Sequence, residues 1–252
     1  MEPFVMLLIY NIIAIIATVI VMIICKKTIK SDKTKDIVLK VVSILVVALH
    51  YSSVYVDFFK NGGSATIGSN MILPVYPCNI IMWMLVIVAF MKNRESKLYQ
   101  TLSEYTFIGG TLCGLIGVFF NFNFLDTPSF ADYTVLKGLL SHSVMIFGTV
   151  YLFVFKYAKL EVVRTMRSIF YGLLIFTVIG FIINFSFAIF SVPSVNAMYM
   201  LEPPIPEVPI LNFFTIGALA LLLSFIGLNI YEIFTLPKEE RFITKMLNKR
   251  RK

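Results

Sequence analysis

The sequence predicts an all-α fold: a polytopic membrane protein, a bundle of seven transmembrane helices with its N-terminus outside and its C-terminus cytoplasmic. Three observations predict it. Of 252 residues, 58% are hydrophobic and only 14% are charged, with a mean hydropathy of +0.86, whereas a water-soluble domain is about a quarter charged. The apolar residues come in unbroken runs of about 18 or more rather than in alternation. Lys and Arg, finally, collect between alternate runs. The first observation excludes a soluble globular enzyme. The 24 Phe and 12 Tyr exclude a disordered chain, and three cysteines cannot build a disulfide scaffold.

The runs cover 4–24, 37–59, 73–91, 98–122, 133–155, 168–192 and 210–236. In lipid every backbone N–H and C=O must be paired internally, so continuous apolar runs become helices. Run 4–24 has neither a basic leader nor a small-residue cleavage site, and is expected to remain as a helix rather than to leave as a signal peptide. Run 73–91 begins with Pro74 and Pro77, and Pro77 suits a first helical position because the missing N–H would go unpaired there anyway. Run 98–122 carries Gly109, Gly110, Gly114 and Gly117, small residues at the spacing of close helix–helix contact. Cys113 lies among them and reads as packing. Residues 1–252 are expected to form one seven-helix domain, with a basic cytoplasmic tail at 237–252.

Charge sets the orientation. Twenty of the 22 Lys and Arg lie in the first, third and fifth loops and in the tail, and only Lys60 and Lys137 fall on the other side. Basic loops stay cytoplasmic. The same bias accounts for the net charge of +8 without nucleic acid. The tail is expected to lie along anionic inner-leaflet lipid. Cys25, beside Lys26 and Lys27, is a possible S-acylation position. The opposite loops are acidic (Asp126, Asp132, Glu202, Glu207), and the Pro-rich stretch 193–209 is expected to be a stiff, extended cover.

Polar groups inside spans are costly and mark function or packing. The only two histidines, His50 and His142, both fall within spans, at roughly 12–14 Å below the outer surface by helical rise. Either they face one cavity or each ties its helix to a neighbour. Cys78 follows Pro77 in a first helical turn, where unpaired N–H groups and the dipole favour a thiolate. A histidine in reach would complete a nucleophile–base pair. Asn79, Asn121, Asn123, Asn184 and Asn212 are amides that either donate to an oxyanion or hold helices together. Glu104 lies too far toward the inner side to join this group and reads as a structural partner.

The stretch Leu73-Pro74-Val75-Tyr76-Pro77-Cys78-Asn79-Ile80 resembles the Leu-Pro-Leu-His-Leu-Cys signature of the YwaF-like integral membrane family. Leu139-Leu140-Ser141-His142 and Asn196-Ala197-Met198-Tyr199-Met200-Leu201 are similar to later segments of that family, in the same order, over residues 73–205. The family takes in a vertebrate transmembrane acyltransferase linked to ether-phospholipid remodelling and ferroptosis. The resemblance implies that Cys78 and His142 are the catalytic pair for acyl transfer to lysophospholipid. It also implies supporting or substrate-binding roles for Tyr76, Asn196 and Tyr199 beside His50, Asn79 and Asn184. Tyr76 stands where the family has histidine, a gap that His50 would have to fill.

The expected function is therefore a membrane-embedded acyltransferase working through a cysteine thioester on phospholipid acyl chains at the outer leaflet. With water as acceptor the same pair is a lipid hydrolase or thioesterase. A small-solute transporter or lipid-binding protein is the non-enzymatic alternative, though inverted repeats are not visible. Zinc held by Cys78, His50 and His142 is a further alternative without the usual ligand spacing. No cofactor is expected. The partners are phospholipids and lysophospholipids, with no nucleic acid, in the plasma membrane. Lys, Ile, Phe and Asn usage suits a low-GC Gram-positive or wall-less bacterium.

Overall fold

A computed structural model describes residues 2–60, 73–121, 124–125, 128–190, 195–204, 208–210 and 212–250. Asn123, Asp126, Pro193, Pro206 and Glu207 lie outside the described residues. Among the described residues eight α-helices carry the fold: α1 Pro3–Thr28, α2 Asp32–Lys60, α3 Pro77–Phe90, α4 Lys97–Phe119, α5 Tyr133–Val154, α6 Val162–Ile189, α7 Phe213–Thr235 and α8 Phe242–Arg250. There are no strands among the described residues. Among the described residues six helices are long and apolar enough to cross a membrane, and α3 is a shorter apolar one. The all-α multi-span architecture expected from sequence is what the structure has.

Boundaries follow local chemistry. Pro3 and Pro77 open α1 and α3. Ser96 accepts from Tyr99 N–H at the start of α4, Asp132 accepts from Thr134 and Val135 N–H at the start of α5, and Asn212 does the same for Phe214 and Thr215 in α7. These side chains satisfy amides that a helix start leaves unpaired. Two helices begin before their apolar runs: α2 at Asp32 and α6 at Val162. Hydropathy reports contact with lipid, and the helical backbone continues beyond that contact into charged sequence.

The third run is longer than the helix it contains. It contributes only 14 helical residues, about 21 Å against a hydrocarbon core of about 30 Å. The reason lies in its two prolines: a residue that precedes proline is pushed out of the helical region, so Leu73–Tyr76 is irregular and the helix waits for Pro77. Such backbone is tolerated at membrane depth only where protein buries it or it lines a cavity.

The contacts group the helices into two compact units, 1–158 and 159–252, each described by itself. In the first, α5 is the hub, packing on α1, α2, α3 and α4. Its tightest seam is with α4. A methyl group at Gly110 would overlap Thr149 Cγ2, one at Gly114 would come 2.5 Å from Ile146 Cγ1, and one at Gly117 would overlap the His142 ring. Thr111 and Thr149 hydroxyls bond across this seam at 3.2 Å. The glycine spacing expected to mark close helix contact does so.

At the basic end of this unit a polar staple joins three elements. Asp36 of α2 pairs with Arg94 at 2.8 Å and accepts from Tyr157 Oη at 2.5 Å. The Arg94 guanidinium also stacks over the Tyr157 ring, 4.7 Å from its centre. Lys156 takes a left-handed φ of 63° in a Schellman turn, with Tyr157 N–H donating to Leu152 O and Lys156 N–H to Phe153 O. That turn aims Tyr157 back at Asp36. Burial first, and then the bond to Asp36, raise the Tyr157 phenol above its ordinary pKa.

In the second unit α6 packs on α7 and on a single 3₁₀ turn, Ala197–Tyr199. Where described, residues 195–204 are a compact turn rather than the extended cover expected from the prolines. Asn196 causes this: its Oδ1 accepts from Leu201 and Glu202 N–H, and its Nδ2 donates to Glu202 O.

Gly110→Val should lower stability by about 1–3 kcal/mol through overpacking of the α4–α5 seam. Gly227, which has nothing within 4 Å, should accept alanine with no loss. Thermal unfolding of the two variants in one detergent compares them directly, and equal melting temperatures would refute the seam.

Candidate functional site

The short α3 determines the geometry. Its 14 residues rise about 21 Å from Pro77 to Phe90, less than a hydrocarbon core of about 30 Å. Cys78 lies in the first turn of this helix, as expected from Pro77. Cys78 is half-buried and directly follows the first helical residue, Pro77.

Asn79 is locked at both ends of its amide. Its Oδ1 accepts from Tyr76 N–H at 3.0 Å, and its Nδ2 lies 3.0 Å from His50 Nε2. Because Oδ1 must face a donor, Nδ2 is the group that meets histidine, so His50 Nε2 accepts and its proton sits on Nδ1. Tyr76 is the residue before the first helical position, and Asn79 N–H donates back to its carbonyl at 3.0 Å. Asn79 keeps one amide hydrogen beyond the one given to His50.

His50 and Asn79 also border a cavity of about 90 Å³ together with Tyr51, Trp83, Leu73 and Pro74. Trp83 Nε1 donates to Tyr51 Oη at 3.4 Å, and the His50 and Tyr51 rings meet edge to face. The irregular backbone of Leu73 and Pro74 thus lines a polar cavity, the condition under which it can persist in a membrane. Its volume suits a few waters or a small polar group, not an acyl chain.

His142 projects from α5 toward α4. Its Nδ1 lies 2.8 Å from Gly138 O, so in the neutral ring Nδ1 donates and Nε2 carries the free lone pair. The ring occupies the space left by Gly117. Cys78 and His142 make no hydrogen bond to one another among the described residues, yet the Lys137 ammonium is within Coulombic range of both, and Cys113 is within range of Cys78. Lys137 went unassigned in the sequence reading. Its signal was visible: one of two cations on the wrong side of the charge ledger, five residues before His142.

The remaining predicted residues do structural work in the second unit. Asn184 forms a two-bond clamp on Ala197, donating to its carbonyl at 3.2 Å and accepting from its N–H at 2.8 Å. Gly180 admits Met198 and Met200 close against α6. Met198 and Tyr199 both hold left-handed backbone, φ 58° and 56°, a conformation that costs a side-chain-bearing residue roughly 1 kcal/mol or more. The clamp and the Asn196 bonds hold it. Glu104 is fully buried on α4. No three His, Cys, Asp or Glu side chains converge on a metal position among the described residues.

Fold and site together define a multi-pass helical membrane protein with a short apolar helix that carries a cysteine in its first turn. The particular family follows from the whole chain: the family model matches residues 2–231, and the protein belongs to the TMEM164 family. No match was found among curated proteins or solved structures.

The His50–Asn79 bond should appear as a coupling of about 0.6–1.7 kcal/mol in a double-mutant cycle of His50→Ala and Asn79→Ala, measured by unfolding in micelles. Additive losses would show that the two side chains do not interact. Gly117→Ala should displace the His142 ring and change its imidazole NMR shifts, whereas unaltered shifts would contradict the packing.

Proposed function

We propose that this TMEM164-family protein is an acyltransferase of the YwaF-like kind, using Cys78 as nucleophile and His142 as base. The observation that carries the reading is the position of Cys78, directly after Pro77 in the first turn of α3, where a helix start leaves backbone N–H groups without intrahelical partners that can support a thiolate or a tetrahedral oxyanion.

The steps are conventional for a thiol nucleophile. His142 Nε2 takes the thiol proton, and Sγ attacks the carbonyl carbon of a phospholipid acyl ester. The ester C–O bond breaks, the lysophospholipid leaves with the proton from His142, and the acyl chain remains as a thioester. An acceptor hydroxyl then gives its proton to His142 as its oxygen attacks the thioester carbon, and Sγ departs and takes that proton back from His142, restoring the thiol and the neutral imidazole. The Gly138 carbonyl holds the Nδ1 proton throughout and keeps Nε2 as the working nitrogen. The free amide hydrogen of Asn79 supports the oxyanion.

The charge bias supports a plasma-membrane protein with its N-terminus outside, and so chemistry in the outer leaflet on phospholipids and lysophospholipids. The water-sized cavity at Asn79 favours a hydrolase as the second reading, with water replacing the acceptor hydroxyl.

Intact-protein mass spectrometry after incubation in phospholipid bilayers tests the proposal. Wild type should gain the mass of one acyl chain, labile to hydroxylamine, and Cys78→Ala should gain none. His142→Ala should slow the gain by about 10²–10⁴-fold, the usual contribution of a positioned base. An adduct that survives Cys78→Ala, or none in wild type, would overturn it.

A further inference from the structure

We propose that α8 is an interfacial helix that binds the surface of an anionic phospholipid leaflet, held at the membrane plane by a rigid corner with α7. The corner is built from reciprocal caps. Glu232, in the last turn of α7 and only 5% exposed, accepts Phe242 N–H at 2.6 Å and sets a carboxylate against the positive end of α8. Arg241 returns the favour: its Nε donates to Leu236 O at 3.1 Å and its Nη2 to Ile233 O at 3.0 Å, satisfying carbonyls that the end of α7 leaves open. The Phe242 ring meets Phe225 of α7 edge-on, with centroids 6.0 Å apart. The start of α8 is therefore fixed to a helix of membrane-spanning length, at that helix's end.

What α8 then presents has two faces. Ile243, Met246 and Leu247 share one side by their spacing and are 43%, 40% and 49% exposed. Lys245 and Asn248 occupy the opposite side and are exposed. A short amphipathic helix with a lysine on its polar face, at the end of a helix of membrane-spanning length, matches a bilayer interface. Charge selects the kind of lipid: residues 241–252 contain six Lys or Arg and no Asp or Glu, which suits an anionic headgroup layer rather than a zwitterionic one.

Two measurements test this on the full-length protein. In the unsubstituted protein, trypsin should cut at Lys245 and Lys249 several-fold more slowly in vesicles with roughly a third phosphatidylglycerol than in phosphatidylcholine alone, and high salt should abolish the difference. Equal rates in the two lipids would overturn the proposal, as would protection that depends on protein concentration, which would indicate a second copy on this face. With Trp83→Phe removing the only native tryptophan, Met246→Trp should be quenched by brominated lipid in the anionic vesicles, and Lys245→Trp should be quenched by aqueous iodide instead. The same quenching at both positions would show that α8 does not lie with one face in lipid.

Discussion

Close approach of α4 and α5 is the constraint on which the first unit depends. Inside a bilayer the lipid tails are as apolar as the side chains, so burial of apolar surface does not drive helices together. Association has to come from backbone proximity and from polar bonds, and both are concentrated on this seam. Gly110, Gly114 and Gly117 lie on one face of α4 and receive Thr149, Ile146 and His142 of α5. With α4 this close, the far sides of α5 are left for α1, α2 and α3, and Tyr133 bonds Ser52 of α2 at 2.6 Å while Tyr10 of α1 meets Ser143 at 3.3 Å. His142 is part of that packing before it is anything else: it fills the place that Gly117 leaves open.

The second determinant is the failure of the third apolar run to be a full span. Two prolines shorten it, and the shortfall places a helix start, a cysteine and a small polar cavity at the same depth. Starting at Pro77 turns the Asn79 N–H back on the Tyr76 carbonyl, and it lets the Asn79 side chain bind Tyr76 on one side and His50 on the other. His50 therefore serves in part as the anchor that holds the start of α3 to α2, which is one of the two roles open to it from sequence.

Much of this was legible in the chain. The helix start at Pro77, the glycine face of α4, the first-turn position of Cys78 and the placing of both histidines within long apolar helices follow from spacing alone. The span limits of α2 and α6 were not, because charged residues end an apolar run without ending a helix. The compact turn at 195–204 was hidden by its prolines, which read as extended backbone. Asn196 and Asn184 override them with side-chain bonds that composition does not reveal. Lys137 was counted for topology and not for chemistry, since a sequence cannot show which side chains share a charge environment.

Taken alone, the sequence determined the class of protein, because hydropathy and charge act on each segment separately and the bilayer reads them one helix at a time. It also determined which residues were costly enough at depth to need a reason. Only the tertiary structure decided what each of them meets: His50 with Asn79, His142 with Gly138 and Gly117, Asn184 with Ala197, Glu232 with the start of α8. Those pairings join residues far apart in the chain, or on helices whose rotation is set by small residues on a neighbour. The physical reason is that depth is a property of one segment, whereas contact is a property of two.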